Sequence, residues 1–276
     1  ALVILGPTST GKTDLAFNLA KKFNGELISC DSRQVYTNLD IGTGKYPNLN
    51  IKYQISNIKK RKAHWEIDGV KIYMYDVMDP KKQYTVYDYV KDANQVIDSI
   101  IIRKKLPIIV GGTGLYLKAL LQGLPNLSFP LDQKLRKVLE KLTLKELQSK
   151  LQKLSLQKWE KMNNSDRQNP RRLVRAIELS VGDFQRTRKI ASLIARNDIL
   201  KIGLTTPREI LYKRINKQVM EWIKNGIVGE VKMLIKQGVT KKRFRQLGLE
   251  YGVVIEYLDE KISFDQMVEK MQSKVR

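Results

Sequence analysis

The chain has one cysteine, Cys30, and one histidine, His64, among its 276 residues. A single thiol excludes an internal disulfide framework and a cysteine-based zinc site, and it fits a reducing compartment. In the strand-like ELISC, Cys30 reads as a small buried side chain. The lone imidazole has no second one to share a metal with, and no triad to complete. No apolar run approaches the roughly 20 residues that a membrane span needs. The chain opens on the strand-like ALVIL rather than on a charged, then apolar leader, so a cytoplasmic protein with no membrane association is expected. Internal repeats and low-complexity tracts are also missing. Acidic side chains are scarce: 28 Asp and Glu face 51 Lys and Arg, a formal charge of +23. An excess of that size points to a polyanionic partner, nucleic acid before a membrane surface. The clusters KKRK (59–62), RKK (103–105) and KKRFR (241–245) each read alone as solvated loops, and the total carries the inference.

What is present is enough for a sizeable core, since 42% of the residues are hydrophobic. Short apolar runs (ALVIL, ELISC, KIYMYDV, PIIV) alternate with amphipathic stretches (TDLAFNLAKKF, YVKDANQVIDSII). That alternation predicts an α/β fold, a parallel sheet flanked by helices. From about Asn126 the pattern turns wholly helical: Leu131, Leu135, Val138, Leu139 and Leu142 recur at helical spacing, and Leu144, Leu147, Leu151 and Leu154 extend it. Asn169 and Pro170 read as an N-cap and a first-turn proline opening RRLVRAIELS. A strand-like KIGLT (201–205) follows, then a long helical stretch from Thr206-Pro207, with Gly226 and Gly238 as breaks. The expected organisation is a core of residues 1–124 and 199–276, interrupted by an all-helical insertion at 125–198. A monomer is the default expectation.

The stretch GPTSTGKT carries the sharpest chemistry. Gly6, Gly11, Lys12 and Thr13 satisfy G-x-x-x-x-G-K-[ST] between a strand and an amphipathic helix. Backbone amides of such a loop cradle phosphate oxygens, the lysine neutralises them, and the threonine hydroxyl is a ligand for Mg²⁺. The loop alone does not choose between nucleotide hydrolysis, kinase chemistry and another use of a diphosphate. Ligands of open α/β sheets bind beyond the carboxyl ends of the strands. There the sequence offers Asp31 after ELISC, Thr113 after PIIV, and Arg208 after KIGLT. PIIV ends in Gly-Gly-Thr, where a motor ATPase or GTPase usually has a metal-holding aspartate, and this counts against nucleotide hydrolysis.

In order along the chain, GPTSTGKT, DSRQVY with DIGTGK, DVMDP, LPIIVGGTGLYLKALLQG, NPRRLVRAIEL and TTPREILYKRI resemble the tRNA dimethylallyltransferases. The resemblance spans nearly the whole chain. It implies a P-loop NTPase-like core and transfer of a dimethylallyl (isopentenyl) group from dimethylallyl diphosphate to the exocyclic N6 amine of the adenosine 3′ to the anticodon in tRNA, releasing diphosphate, with Mg²⁺ as cofactor. It implies Asp31 as general base and Thr113 as the residue that positions the amine. It places the diphosphate on Gly6, Thr8, Ser9, Thr10, Gly11, Lys12 and Thr13, with Arg208 and Arg214, and the metal on Thr13. It assigns tRNA contacts to Asp31, Ser32, Arg33, Gln34 and Thr113, and to Arg136, Arg171, Arg172 and Arg175 in the insertion.

The chain departs from the family pattern at places. Gln218 stands where a further arginine is usual, Ile72 and Tyr73 replace paired histidines, and the late block reads GLEYGV (248–253). Other readings that share the phosphate loop are a prenyltransferase acting on free adenylate, a small-molecule kinase, and an RNA-binding protein without catalysis. The +23 charge and the helical insertion favour the RNA-modifying reading over the first, and a kinase would call for an adenine pocket and a lid rich in phosphate-clamping arginines.

Overall fold

A computed structural model describes residues 1–45, 58–61, 64–124, 127, 131–181 and 199–275. The expected insertion boundaries at 125 and 198, and Lys62 of the KKRK cluster, lie outside the described residues.

The first strand, β1 (Leu2–Leu5), is the apolar run LVIL. It feeds the glycine-rich Gly6–Gly11 loop, which feeds α1 (Lys12–Lys22). There follow β2 (Gly25–Ser29), β3 (Ile58–Arg61), β4 (His64–Ile67), β5 (Val70–Tyr73), α2 (Val86–Ile102), β6 (Leu106–Gly111) and α3 (Gly114–Gln122). These strands and β7 (Leu200–Gly203) form one sheet in the order β3-β4-β5-β2-β6-β1-β7. The neighbours from β5 through β7 are parallel, as the alternating pattern predicts. β1 and β6 sit inside the sheet and are buried along most of their length, which is why both read as continuous apolar runs.

The hairpin β3–β4, antiparallel to β5, departs from the expected pattern. Lys59, Lys60 and Arg61 are not loop residues but the edge strand β3, exposed at those positions. Lysines on an unpaired edge deter further strand pairing, so a charged run and an edge strand look alike in sequence.

The core under α1 joins Leu2, Ile4, Leu27, Trp65, Ile67, Ile72, Ile108 and Val110 with Ala16 and Ala20. Two alanines on the buried face of α1 let the helix approach the sheet closely. That fixes the loop at its N-terminus over the carboxyl ends of β1, β2 and β6. Opposite, Thr85 and Asp88 form a reciprocal cap that starts α2.

The chain divides into two compact units, Ala1–Gly123 with Ala191–Arg276, and Leu124–Ile190. The second is helical where described: α4 (Gln133–Leu139), α5 (Leu144–Leu154), α6 (Leu156–Lys161), α7 (Asn164–Arg167) and α8 (Pro170–Val181). The leucine period read as continuous is broken between α4 and α5, because Thr143 and Glu146 form a capping box that begins a new helix. Leu139, Leu147, Leu151, Leu173, Val174 and Ile177 form this unit's own core. Pro170 opens α8 and the Asn169 side chain accepts from the amides of Arg171 (3.0 Å) and Arg172 (3.3 Å), as read from the sequence.

The first unit ends in α9 (Arg208–Lys224), α10 (Ile227–Lys236), α11 (Lys241–Leu247), α12 (Leu249–Leu258) and α13 (Phe264–Val275). Gly226 (φ 89°) and Gly238 (φ 95°) break the helices where expected. Among the described residues no helix is long and apolar enough to cross a membrane.

Candidate active site

Gly11 caps α1 in the left-handed region (φ 87°), and Ser9 also has positive φ (62°), so the loop turns its amides inward ahead of the helix. Lys12 Nζ donates to the carbonyl of Pro7 (2.5 Å), and the Thr10 hydroxyl donates to the same carbonyl (2.9 Å). Burial lowers the Lys12 pKa, an effect that the negative charge of Asp31 partly offsets. A half-desolvated ammonium at the N-terminus of a helix is suited to attract an anion.

Helix α9 holds the loop from outside. Arg214 Nη1 donates to the Ser9 carbonyl (3.2 Å) and Ser9 Oγ donates to Gln218 Oε1 (2.7 Å). Residues four apart on a helix share a face, so both ends of Ser9 are pinned by one surface of α9.

Beyond β2 the chain makes a tight turn at Asp31–Gln34. Asp31 Oδ1 accepts from the amides of Arg33 (2.8 Å) and Gln34 (3.4 Å), and Thr113 Oγ1 accepts from the amide of Ser32 (3.1 Å). The turn carrying the carboxylate is thereby fastened to the residue after β6. Gln34 Nε2 donates to the Thr43 carbonyl (3.0 Å) and Gln34 Oε1 accepts from Ser29 Oγ (2.6 Å), which fixes the side-chain amide.

These pieces face one cavity of about 320 Å³. Of the residues predicted from sequence, Gly6, Thr8, Ser9, Lys12, Thr13, Asp31, Ser32, Arg33, Gln34 and Thr113 line it. Its apolar wall comes from Leu27, Ile72, Tyr75 and Val110. A second cavity of about 180 Å³ shares Thr8, Asp31, Arg33, Thr43 and Gln218 with the first and continues to Trp222, Leu249 and Glu250. Asp31 thus stands where two openings meet, one lined by the glycine-rich loop and the other by an indole.

Cys30, just before the Asp31–Gln34 turn, is fully buried, and burial pushes its thiol up to about 12. It is an inert packing residue.

Residues 34–276 match the family model described as IPP transferase, and residues 1–55 match the one described as isopentenyl transferase. The chain belongs to the IPP transferase family. Among its relatives, tRNA dimethylallyltransferase 2 of Treponema denticola is 39% identical over 267 residues, 95% of this chain and 82% of that protein. The solved tRNA delta(2)-isopentenylpyrophosphate transferase of Staphylococcus epidermidis is 31% identical with a TM-score of 0.62, covering 99% of this chain and 85% of that one. A eukaryotic dimethylallyltransferase described as acting on tRNA is 24% identical with a TM-score of 0.74, over 100% of this chain and 66% of that one, and shows the shared fold.

Within this IPP transferase the remaining predicted residues are placed as follows. Thr10 and Gly11 shape the loop. Arg208 and Arg214 are exposed on α9, and Gln218 is the α9 side chain that lines the cavity. The four arginines of the helical unit that the resemblance assigns to tRNA divide into two kinds. Arg136 donates to both oxygens of buried Glu178 (2.5 and 2.8 Å) and Arg175 adds a bond of 3.1 Å, while Arg172 pairs with Asp166. Arg171 is exposed near the start of α8. Burial works to raise the Glu178 pKa, but its hydrogen bonds to the two guanidinium groups outweigh that and leave it below its ordinary value.

Sequence reasoning missed Glu250, Trp222, Thr43 and Tyr75. They face Asp31 or the loop because α9, α12 and the chain after β5 fold back over the sheet and because the chain after the Asp31 turn doubles back to bring Thr43 beside Gln34, and no local pattern marks those returns. Gln218 alone had a signal, its helical spacing from Arg214.

Proposed function

We propose that this chain transfers a dimethylallyl group from dimethylallyl diphosphate to the exocyclic N6 amine of the adenosine 3′ to the anticodon in tRNA. The observation that supports it most is the convergence on one cavity of a phosphate loop, the Asp31 carboxylate and the Thr113 hydroxyl. A kinase would use the same loop, but family membership favours carbon–nitrogen bond formation.

In this reading the amine nitrogen attacks the allylic carbon bonded to the diphosphate oxygen. The carbon–oxygen bond breaks and its electron pair leaves with the diphosphate. The nitrogen becomes acidic as the new bond forms, and Asp31 accepts the proton released from it. The loop amides and Lys12 stabilise the charge developing on the leaving group, work for which a single donor is typically worth about 10²–10³ in rate. Thr113 accepts from the Ser32 amide, which ties it to the Asp31 turn, and in this reading it orients the amine. The target base must leave its stack to reach such a cavity.

Among the described residues no group of three or more His, Cys, Asp or Glu side chains could hold a metal. The residues present nevertheless fit Mg²⁺, a hard cation usually bound by few protein oxygens together with substrate phosphates. The Thr13 hydroxyl would hold it beside the diphosphate. When bound, it supplies neutralisation of the leaving group.

The test is transfer of labelled dimethylallyl with Mg²⁺, offering an A-rich anticodon stem-loop and free AMP side by side. Label in the RNA alone is expected. Label in AMP alone, or in neither, would overturn the assignment. Asp31→Asn is expected to abolish most turnover while leaving RNA affinity nearly intact, and a full-rate variant would remove Asp31 from the mechanism.

A further inference from the structure

Glu250 is a carboxylate in the wrong place for a structural residue. Its side chain is 1% exposed, at the start of α12 and 217 positions from its partner, Arg33, whose guanidinium Nη1 donates to its Oε1 at 2.6 Å. Burying a charge is costly unless it is paired, and an ion pair of this kind adds little stability over apolar packing. The local backbone is shaped around it. A Cβ on Gly248 would lie 2.7 Å from Glu250 Oε1, so any larger residue there would displace the carboxylate.

Arg33 lies within the turn that carries the base. Its own amide donates to Asp31 Oδ1, and its side chain reaches back to α12. Glu250 is in turn seated by its neighbour: Tyr251 donates its hydroxyl to buried Glu230 (2.9 Å), and the other oxygen of Glu230 accepts the amides of Asp40 and Ile41 (2.8 Å each). The loop closes on itself at Thr43, whose carbonyl accepts from Gln34. Both sides of the Asp31–Gln34 turn are therefore tied to α10 and α12.

We infer that Glu250 is a positioning residue for the transfer, fixing Arg33 and through its backbone the angle at which Asp31 meets the acceptor amine. It also offsets the Arg33 charge that would otherwise stand uncompensated beside the base. Burial pushes the Glu250 carboxyl up, Arg33 opposes, and the negative charge of Asp31 adds to the rise, so the three groups sense one another electrostatically. This role rests on the reaction proposed above.

The test compares Glu250→Gln, Arg33→Gln and the double variant of the full chain in the labelled transfer assay, with Mg²⁺ and saturating stem-loop. Glu250→Gln is expected to lower kcat at least about tenfold, as misplacement of a reacting group does. The KM for dimethylallyl diphosphate and the RNA affinity should stay within about twofold of wild type. Arg33→Gln, at a part-exposed position on the turn rather than on α12 itself, is the second variant and is also expected to lower kcat at unchanged KM for the diphosphate. Because Glu250 acts through Arg33, the double variant should be no slower than the slower single one. Full-rate single variants, losses that multiply in the double variant, or a loss confined to KM would overturn the role. A wild-type chain that transfers label to neither acceptor would overturn the reaction instead.

Discussion

Arg136 and Arg175 were assigned to tRNA by resemblance, yet both engage Glu178, and the variant Arg136→Met distinguishes the two roles. Glu178 is 4% exposed and Arg136 20% exposed, so this pair is largely desolvated. Removing one partner of a buried pair costs about 3–5 kcal/mol. The surviving Arg175 bond and the partial exposure of Arg136 reduce that to about 2–3 kcal/mol, since a hydrogen bond to a charged group is worth about 1.5–3 kcal/mol. For a unit of this size each kcal/mol moves the midpoint by about 4–8 °C. Thermal and urea unfolding of the full chain, read by amide exchange at Leu147, Leu151, Leu173 and Ile177, reports on this unit's core. The double variant Arg136→Met/Glu178→Met should recover to within about 1 kcal/mol of wild type, because an apolar pair of similar volume replaces the ionic one. The penalty also has a pH signature. The folded Glu178 carboxyl sits below its ordinary value, so its stabilisation is present above the ordinary carboxylate range and lost as pH falls through the folded value. The Arg136→Met penalty should shrink over the same acid range, where Glu178 becomes neutral. Unchanged unfolding together with weakened RNA binding would refute this reasoning and return Arg136 to the RNA interface.

Other consequences follow from single contacts. Arg171→Glu, at an exposed position of α8, should weaken stem-loop binding and reduce its salt slope by roughly one; an unchanged slope would place Arg171 on a solvated face. Removing both supports of Ser9 in Arg214→Ala/Gln218→Ala should raise the KM for dimethylallyl diphosphate more than it lowers kcat, and an unaffected KM would mean that the loop holds its shape unaided. At Gly111 an added Cβ would lie 2.2 Å from the Cys30 carbonyl, a backbone atom that cannot swing aside. Gly111→Ala should therefore destabilise the core by about 1–3 kcal/mol or more, and a wild-type urea midpoint would contradict that close approach.

The phosphate loop, the parallel strands and the caps at Asn169 and Pro170 were legible in the sequence because each is local. A run of apolar residues, a glycine at a fixed offset or a side chain reaching the next amides needs no distant partner. Asp31 and Thr113 were legible for a related reason: residues just past parallel strands are brought to one edge by the sheet itself. The edge hairpin was not legible, since its lysines read equally well as a loop. The pairing of Arg136 and Arg175 with Glu178, the clamp of Gln218 on Ser9 and the tie from Glu250 to Arg33 were decided by tertiary structure alone. Each joins charges or dipoles from separate elements, and whether a cation meets solvent, RNA or a buried carboxylate depends on which helix packs over it, a distance in space that composition and spacing along the chain do not encode.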